Sequence, residues 1–217
     1  MKSEKKIILI SLLIGLIVTS ILTVYGEEHS KNVQEDLASS VIRFHVIANS
    51  DLDEDQELKR DVRDVVLEKM KDSLNNVDDI NETRSILSDN IDYIESLSKE
   101  VILKWGKNYD VKVSLCYANF PTKRYGDIVL PPGKYETLNI ELGEAKGHNW
   151  WCVMFPPMCF VDATHGVVPD KMKTELKNVL TDDEYNLILA TKYEDEMPIK
   201  MKFKVVEWWQ EKFNEEK

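Results

Sequence analysis

The chain opens on a basic stretch, Met1 to Lys6, followed by eighteen residues without a charge, Ile7 to Val24 (IILISLLIGLIVTSILTV), before Glu27 and Glu28 restore polarity. A run of that length sits at the short end of what spans a bilayer, roughly 17–25 residues, and exceeds the roughly 7–15 of a signal-peptide core. It predicts an N-terminal transmembrane or signal helix over 1–26, with the leading lysines cytoplasmic and everything from residue 27 outside. Two readings stand for this segment. One is an uncleaved membrane anchor through 7–24; the other is a cleaved signal, for which small residues lie near Val24-Tyr25-Gly26 without an A-x-A site.

Beyond the apolar run, residues 27–40 (EEHSKNVQEDLASS) are polar without a clean period and read as a tether. At Val41 the pattern changes. Ile42, Phe44, Val46 and Ala48 alternate with Arg43, His45 and Ile47, the two-residue period of a half-buried strand. Asn49-Ser50-Asp51 stops it, with Ser50 as the expected N-cap of a helix whose first turn is crowded by Asp53, Glu54, Asp55 and Glu57. The stripe Leu58, Val62, Val65, Val66, Met70 and Leu74 carries that helix to about Leu74. A second helix is expected from near Asn81, with Leu87, Ile91, Ile94, Leu97, Val101 and Trp105 on one face and Gly106 as its left-handed terminator.

Alternation returns in Val111, Val113, Leu115 and Tyr117, and again from Glu136 to Leu142, with Pro121, Gly126, Pro131, Pro132 and Gly133 between them. Trp150 to Val161 carries no charge and reads as two buried extended pieces bent at Pro156-Pro157. Short helices are expected over 172–180 and 181–189, and a terminal helix over 202–213 presenting Val205, Trp209 and Phe213. The fold class is therefore α+β: a small, mostly antiparallel sheet covered by two long helices, in one extracytoplasmic domain over 41–217.

Charge narrows the function classes. The chain carries −11, of which Lys2, Lys5 and Lys6 against Glu4 make +2, so the remainder carries −13. Such a body repels phosphate backbones, and nucleic acid is excluded as a partner.

Catalytic spacings are mostly absent. There is no G-x-S-x-G, no H-E-x-x-H, no Gly-rich phosphate loop and no D-[TS]-G. Asp51, Asp53 and Asp55 have the opening spacing of a calcium loop, yet Gln56 stands at the turn glycine and Val62 at the bidentate carboxylate, so the acidic helix start is preferred and no cofactor is expected. Cys152 and Cys159 flank Phe155-Pro156-Pro157 and are either buried thiols or a disulfide made possible by export; Cys116 is left over. The competing function is an extracytoplasmic thiol- or metal-dependent hydrolase. It would use Cys152 with His148 or His165 and Asp162, or zinc on His148, Cys152, Cys159 and His165. His45, beside Arg43, reads as a hydrogen-bonded surface histidine. A third class is an anchored structural protein of the envelope. Asn81-Glu82-Thr83 matches a glycosylation sequon that has meaning only in a eukaryotic secretory pathway. Of the tryptophan pairs, Trp150-Trp151 fits a strand covered on both faces, and Trp208 is the better interaction candidate.

Four strings together resemble the stage II sporulation protein R family: IRFHVIANSDLDEDQELKRDVRD at 42–64, FPTKRYGD at 120–127, PPGKYE at 131–136 and NWWCVMFPPMCFVD at 149–162. They occur in the family's order behind an N-terminal hydrophobic segment. Two departures stand out: Ala145 replaces a glycine in the Gly143-to-His148 approach to Asn149-Trp150-Trp151, and Met158 replaces a leucine. The resemblance implies a non-enzymatic signal of endospore formation. Such a protein is made in the forespore and exported to the space between the two membranes. There it activates a membrane-embedded aspartic protease of the mother cell, of the stage II sporulation protein GA type, which processes the sigma factor E precursor. No catalytic residues carry over. The family strings concentrate the expected contact surface on Asn49, Ser50, Asp51, Asp55 and Gln56 with Trp150 and Trp151.

Overall fold

β1 (Ile42–Ile47) is flanked by a strand on each side, and the rest of the architecture follows from its central place. In this computed structural model residues 2–74, 77–160 and 168–190 are described. The four-stranded sheet runs β2 (Val111–Phe120), β5 (Gly133–Leu142), β1, β6 (Asn149–Phe155). β1 and β5 are parallel, while β2–β5 and β1–β6 are antiparallel, so the sheet is mixed and, as expected, mostly antiparallel. A two-stranded hairpin, β3 (Lys123–Tyr125) with β4 (Ile128–Leu130), lies in the β2–β5 connection.

One face of the sheet meets α2 (Asp53–Leu74), α3 (Ile80–Asp89) and α4 (Ile91–Lys104). The expected stripe holds: Leu58, Val62, Val66, Met70 and Leu74 are buried against Ile42, Phe44 and Val46. Each such side chain contributes about 1.5–3 kcal/mol on leaving water. The predicted second helix is two. Asn90 ends α3 with φ −107° and ψ 8°, and its Nδ2 donates to Ile86 O at 2.8 Å. This is the local competition for backbone groups that makes asparagine a poor helix interior. Asp79 caps α3 by accepting from Asn81 N and Glu82 N. Gly106 has φ +69°, with Gly106 N bonded to Leu103 O and Lys107 N to Ile102 O, the paired bonds of a left-handed helix end.

The opposite face is also covered, which two helices alone would not achieve. Leu37 and Ala38 from α1 (Lys2–Ser39) join Ile128 and Leu130 of the hairpin, Met172 and Leu176 of α5 (Asp170–Val179), and Tyr185 and Ile188 of α6 (Asp182–Ala190). α5 and α6 match the expected short helices. The stretch 27–40 is thus the end of a helix whose last turn enters the core, and not an irregular tether. Along 7–24 the backbone of α1 is helical, and side chains are described from Ile10 to Thr23. Its large apolar side chains from Ile10 to Leu22 are 48–70% exposed all round. Among the described residues no helix is long and apolar enough to cross a membrane.

Among the described residues, no second extended piece follows Pro157. Cys152 and Cys159 form a disulfide with Cα atoms 5.7 Å apart, whereas seven extended residues would span about 23 Å. The chain therefore folds back, and Met158–Phe160 is a 3-10 turn. The expected helix at 202–213, with Trp208, lies outside the described residues.

Candidate partner-binding site

At the end of β1 the chain turns into α2, and the β5–β6 loop, 143–148, lies on that turn. Gly147 N donates to Ala48 O at 2.9 Å and Lys146 N to Asn49 O at 3.2 Å. A Cβ on Gly147 would overlap the Ser50 carbonyl, and one on Gly143 (φ +59°) would overlap the Asn49 side chain. Ala145 between them has φ +49°, a conformation glycine adopts at no steric cost, which is a physical reason to expect glycine there.

Asp55 is the hub beneath this contact. It is 2% exposed and accepts from Ser50 Oγ at 2.6 Å, Asn49 Nδ2 at 2.8 Å and Tyr109 Oη at 2.9 Å. Burial pushes its carboxyl upward, but these three bonds and the Lys107 charge outweigh it and hold the group below the usual carboxylate range. Asn49 Oδ1 takes Glu144 N at 3.0 Å. Ser50 stands ahead of the position expected of it as N-cap: α2 begins at Asp53, and the Ser50 hydroxyl donates to Asp55 while accepting from Leu52 N at 3.2 Å. Gln56 Nε2 holds Ser50 O, and Gln56 Oε1 accepts from Lys59 Nζ at 2.6 Å. Lys59, buried, donates also to His148 O, and burial together with Arg60 and Arg63 lowers its pKa. Asp51 faces solvent and accepts from His148 N at 2.6 Å, with His148 Nδ1 2.5 Å from the same carboxylate oxygen.

The five residues expected to meet a partner thus come together as a clamp between the β1–α2 turn and the β5–β6 loop. Only Asp51 presents much of its side chain outward. Trp150 and Trp151 are half-buried and point to opposite faces of β6. Trp150 stands edge-on to Phe44 (5.5 Å) beneath the Arg63 guanidinium (5.0 Å), and Trp151 stacks on His45 (3.8 Å) with Lys123 Nζ 5.6 Å from its centroid.

Arg43 and His45 depart most from expectation. Neither is on the surface: Arg43 is fully buried and His45 is 6% exposed. The Arg43 guanidinium lies 4.3 Å from the Phe120 centroid and 5.0 Å from that of Tyr135, donating to Cys152 O (3.1 Å) and Tyr125 Oη (2.9 Å). Burial lowers the Arg43 pKa and takes His45 down to about 4, so His45 is neutral near pH 7; burial also pushes Tyr135 up to about 12.

A family model described as stage II sporulation protein R (spore_II_R) matches residues 38–165. The chain is 33% identical to "Stage II sporulation protein R" of Bacillus subtilis (strain 168) over 223 aligned positions, covering 97% of this chain and 100% of that protein. The chain belongs to the stage II sporulation protein R family. No solved structure matches it. The region matched to the family begins in the last turn of α1 and takes in β1 to β6, the clamp and the disulfide.

Within that region the structure removes the thiol route to hydrolysis. Cys152 is bonded to Cys159 and buried, so neither sulfur is a free nucleophile or a zinc ligand. Asp162 and His165 lie outside the described residues. Among the described residues no group of three His, Cys, Asp or Glu is placed to hold a metal ion. Cys116 is free and half-buried on β2. Sequence reasoning missed Tyr109, Lys59 and the two close-approach glycines; Gly143 and Gly147 bracketing a polar loop were the available signal.

Proposed function

We propose that this chain is an exported signalling protein of sporulation. In this reading it is made in the forespore, held at or released from its membrane through residues 7–24, and acts in the intermembrane space. Its target is the mother-cell membrane aspartic protease, of the stage II sporulation protein GA type, that processes the sigma factor E precursor. The observation that carries the reading is family membership over nearly the whole chain. Three features support it. The side chains of α1 from Ile10 to Leu22 are exposed on every face, as a helix lying in lipid would be. The Cys152–Cys159 disulfide suits an oxidising compartment. The acidic body, at −13 beyond residue 26, suits a protein target better than a nucleic acid.

The chain acts as a ligand rather than an enzyme. It shifts the protease towards its active state by binding that state more tightly than the inactive one. Co-expressing the full chain with the protease and the sigma factor precursor, and following precursor cleavage, tests this. Cleavage dependent on the chain is expected; unchanged cleavage would overturn the reading.

A further inference from the structure

α2 begins at Asp53, and its first backbone bond runs from Gln56 N to Leu52 O at 3.0 Å, so Leu52 occupies the N-cap. That position favours asparagine, aspartate, serine and threonine, whose side chains accept from the free N–H groups of the first turn. Leucine accepts nothing, and here burial returns nothing for it. Leu52 is 68% exposed, more than any other large apolar side chain described outside α1. A lone exposed leucine is ordinary on a protein surface, but one at an N-cap also works against the helix that it starts. A residue that breaks a local rule without a gain inside the fold marks a functional position.

The clamp holds Leu52 in place without covering it. Leu52 N donates to Ser50 Oγ at 3.2 Å, Gln56 Nε2 holds Ser50 O at 2.8 Å, and His148 N fixes Asp51 at 2.6 Å. A turn bound this closely loses little freedom when its tip enters a pocket, which lowers the cost of binding. Asp51 and Asp53, both exposed, flank the leucine, so a pocket rimmed by cations suits it, whereas anionic lipid or the same turn of a second copy repels it. Position points the same way. α1 reaches the body at the other end of the sheet, where Gln34 Nε2 is bonded to Pro132 O just before β5 begins. β1 and β5 run parallel away from that point, and the six residues of β1 carry the chain roughly 17 Å towards the clamp. With α1 in the chain's own membrane, Leu52 is presented on the far side, towards a protein across the gap.

We infer that Leu52 is the apolar anchor of the partner contact, entering a pocket rimmed by lysine or arginine on the protein that the chain activates, with Asp51 and Asp53 meeting those cations. This rests on the signalling reading above. The remaining clamp residues hold the turn, and Leu52 makes the contact.

Leu52→Asn separates contact from fold, because it removes the apolar side chain, keeps the charge and supplies the missing cap. The full chain is used in the precursor-cleavage assay at limiting amounts, with thermal melts alongside. We expect the midpoint to hold or rise by up to about 5 °C while cleavage falls at least tenfold, the equivalent of one leucine left unburied. Leu103→Gln, which removes another exposed leucine from α4, is expected to leave cleavage unchanged. Full cleavage with Leu52→Asn overturns the anchor while leaving the signalling reading intact. An equal loss with Leu103→Gln does the same, since the effect would then be one of general surface hydrophobicity. No cleavage with the wild-type chain overturns the signalling reading, and the anchor with it. A lowered midpoint in Leu52→Asn would show the leucine packed into the fold, and a wild-type dimer dispersed by that variant would assign it to a second copy; either overturns the anchor.

Discussion

His45 stacks on Trp151 with ring centroids 3.8 Å apart and planes 13° from parallel, inside the sheet's second face. Burial brings its pKa to about 4, against about 6.5 in an unfolded chain. Above pH 6.5 both states are neutral and His45 adds no pH dependence. Between about 6.5 and 4 the unfolded chain takes up a proton that the folded chain refuses, so stability falls as pH falls, and the effect levels off below 4. Urea unfolding of wild type and His45→Phe at pH 7 and pH 4.5 checks this. Wild type is expected to lose about 2 kcal/mol more than the variant over that interval. Equal losses would show that the imidazole is not held neutral.

Asp55 carries the clamp. Asp55→Ala leaves Ser50 Oγ, Asn49 Nδ2 and Tyr109 Oη without their acceptor, at an expected cost of about 3 kcal/mol. Because its folded carboxyl titrates below the usual range, its stabilisation is present above the unfolded pKa and lost as pH falls through the folded one. The stability gap between wild type and Asp55→Asn therefore closes in acid. Denaturant titrations from pH 7 to pH 2 measure the gap; a constant gap would mean that ionisation of Asp55 plays no part.

Periodicity made the helix face of the sheet legible. The 3.6-residue stripe from Leu58 to Leu74 and the alternation in β2 and β5 each state which residues share a face. They do not state whether that face is covered. Arg43 and His45 alternate correctly with Phe44 and Val46, yet Phe120, Tyr125, Tyr135 and Trp151, which bury them, lie roughly 75–110 positions further along the chain. The acidic start of α2 gave a similar ambiguity. A helix-dipole argument accounts for Asp53 and Glu54, but nothing local distinguishes Asp55, whose donors come partly from Tyr109 in a distant loop. Of the clamp, the cluster from Asn49 to Gln56 was legible, but Lys59, Tyr109, Gly143 and Gly147 were not, and four of the five polar positions are spent within the fold.

The disulfide offers a test that separates architecture from signalling. Closing a short loop between Cys152 and Cys159 constrains the unfolded chain by about 2.5 kcal/mol in the chain-entropy account. Cys152→Ala/Cys159→Ala is expected to lower the thermal midpoint by about 5–10 °C. At temperatures where the double variant remains folded, precursor cleavage should persist. Loss of cleavage from a demonstrably folded double variant would give the sulfurs a role beyond holding the 158–160 turn on β6.

Two single-methyl changes in the 143–148 loop should have opposite signs. Gly147→Ala puts a Cβ into the Ser50 carbonyl, a backbone atom that cannot step aside as a side chain would. The loop must then lift from the β1–α2 turn and release Gly147 N from Ala48 O, at an expected cost above about 2 kcal/mol. Ala145→Gly instead relieves a left-handed residue at φ +49°, worth about 1–2 kcal/mol, against about 0.5–1 kcal/mol of added glycine entropy. The midpoint should rise by a few degrees at most. Thermal melts of the two variants beside wild type measure both signs at once. A neutral Gly147→Ala would mean that the loop does not rest on Ser50, and a destabilising Ala145→Gly would mean that the Ala145 methyl is packed rather than strained.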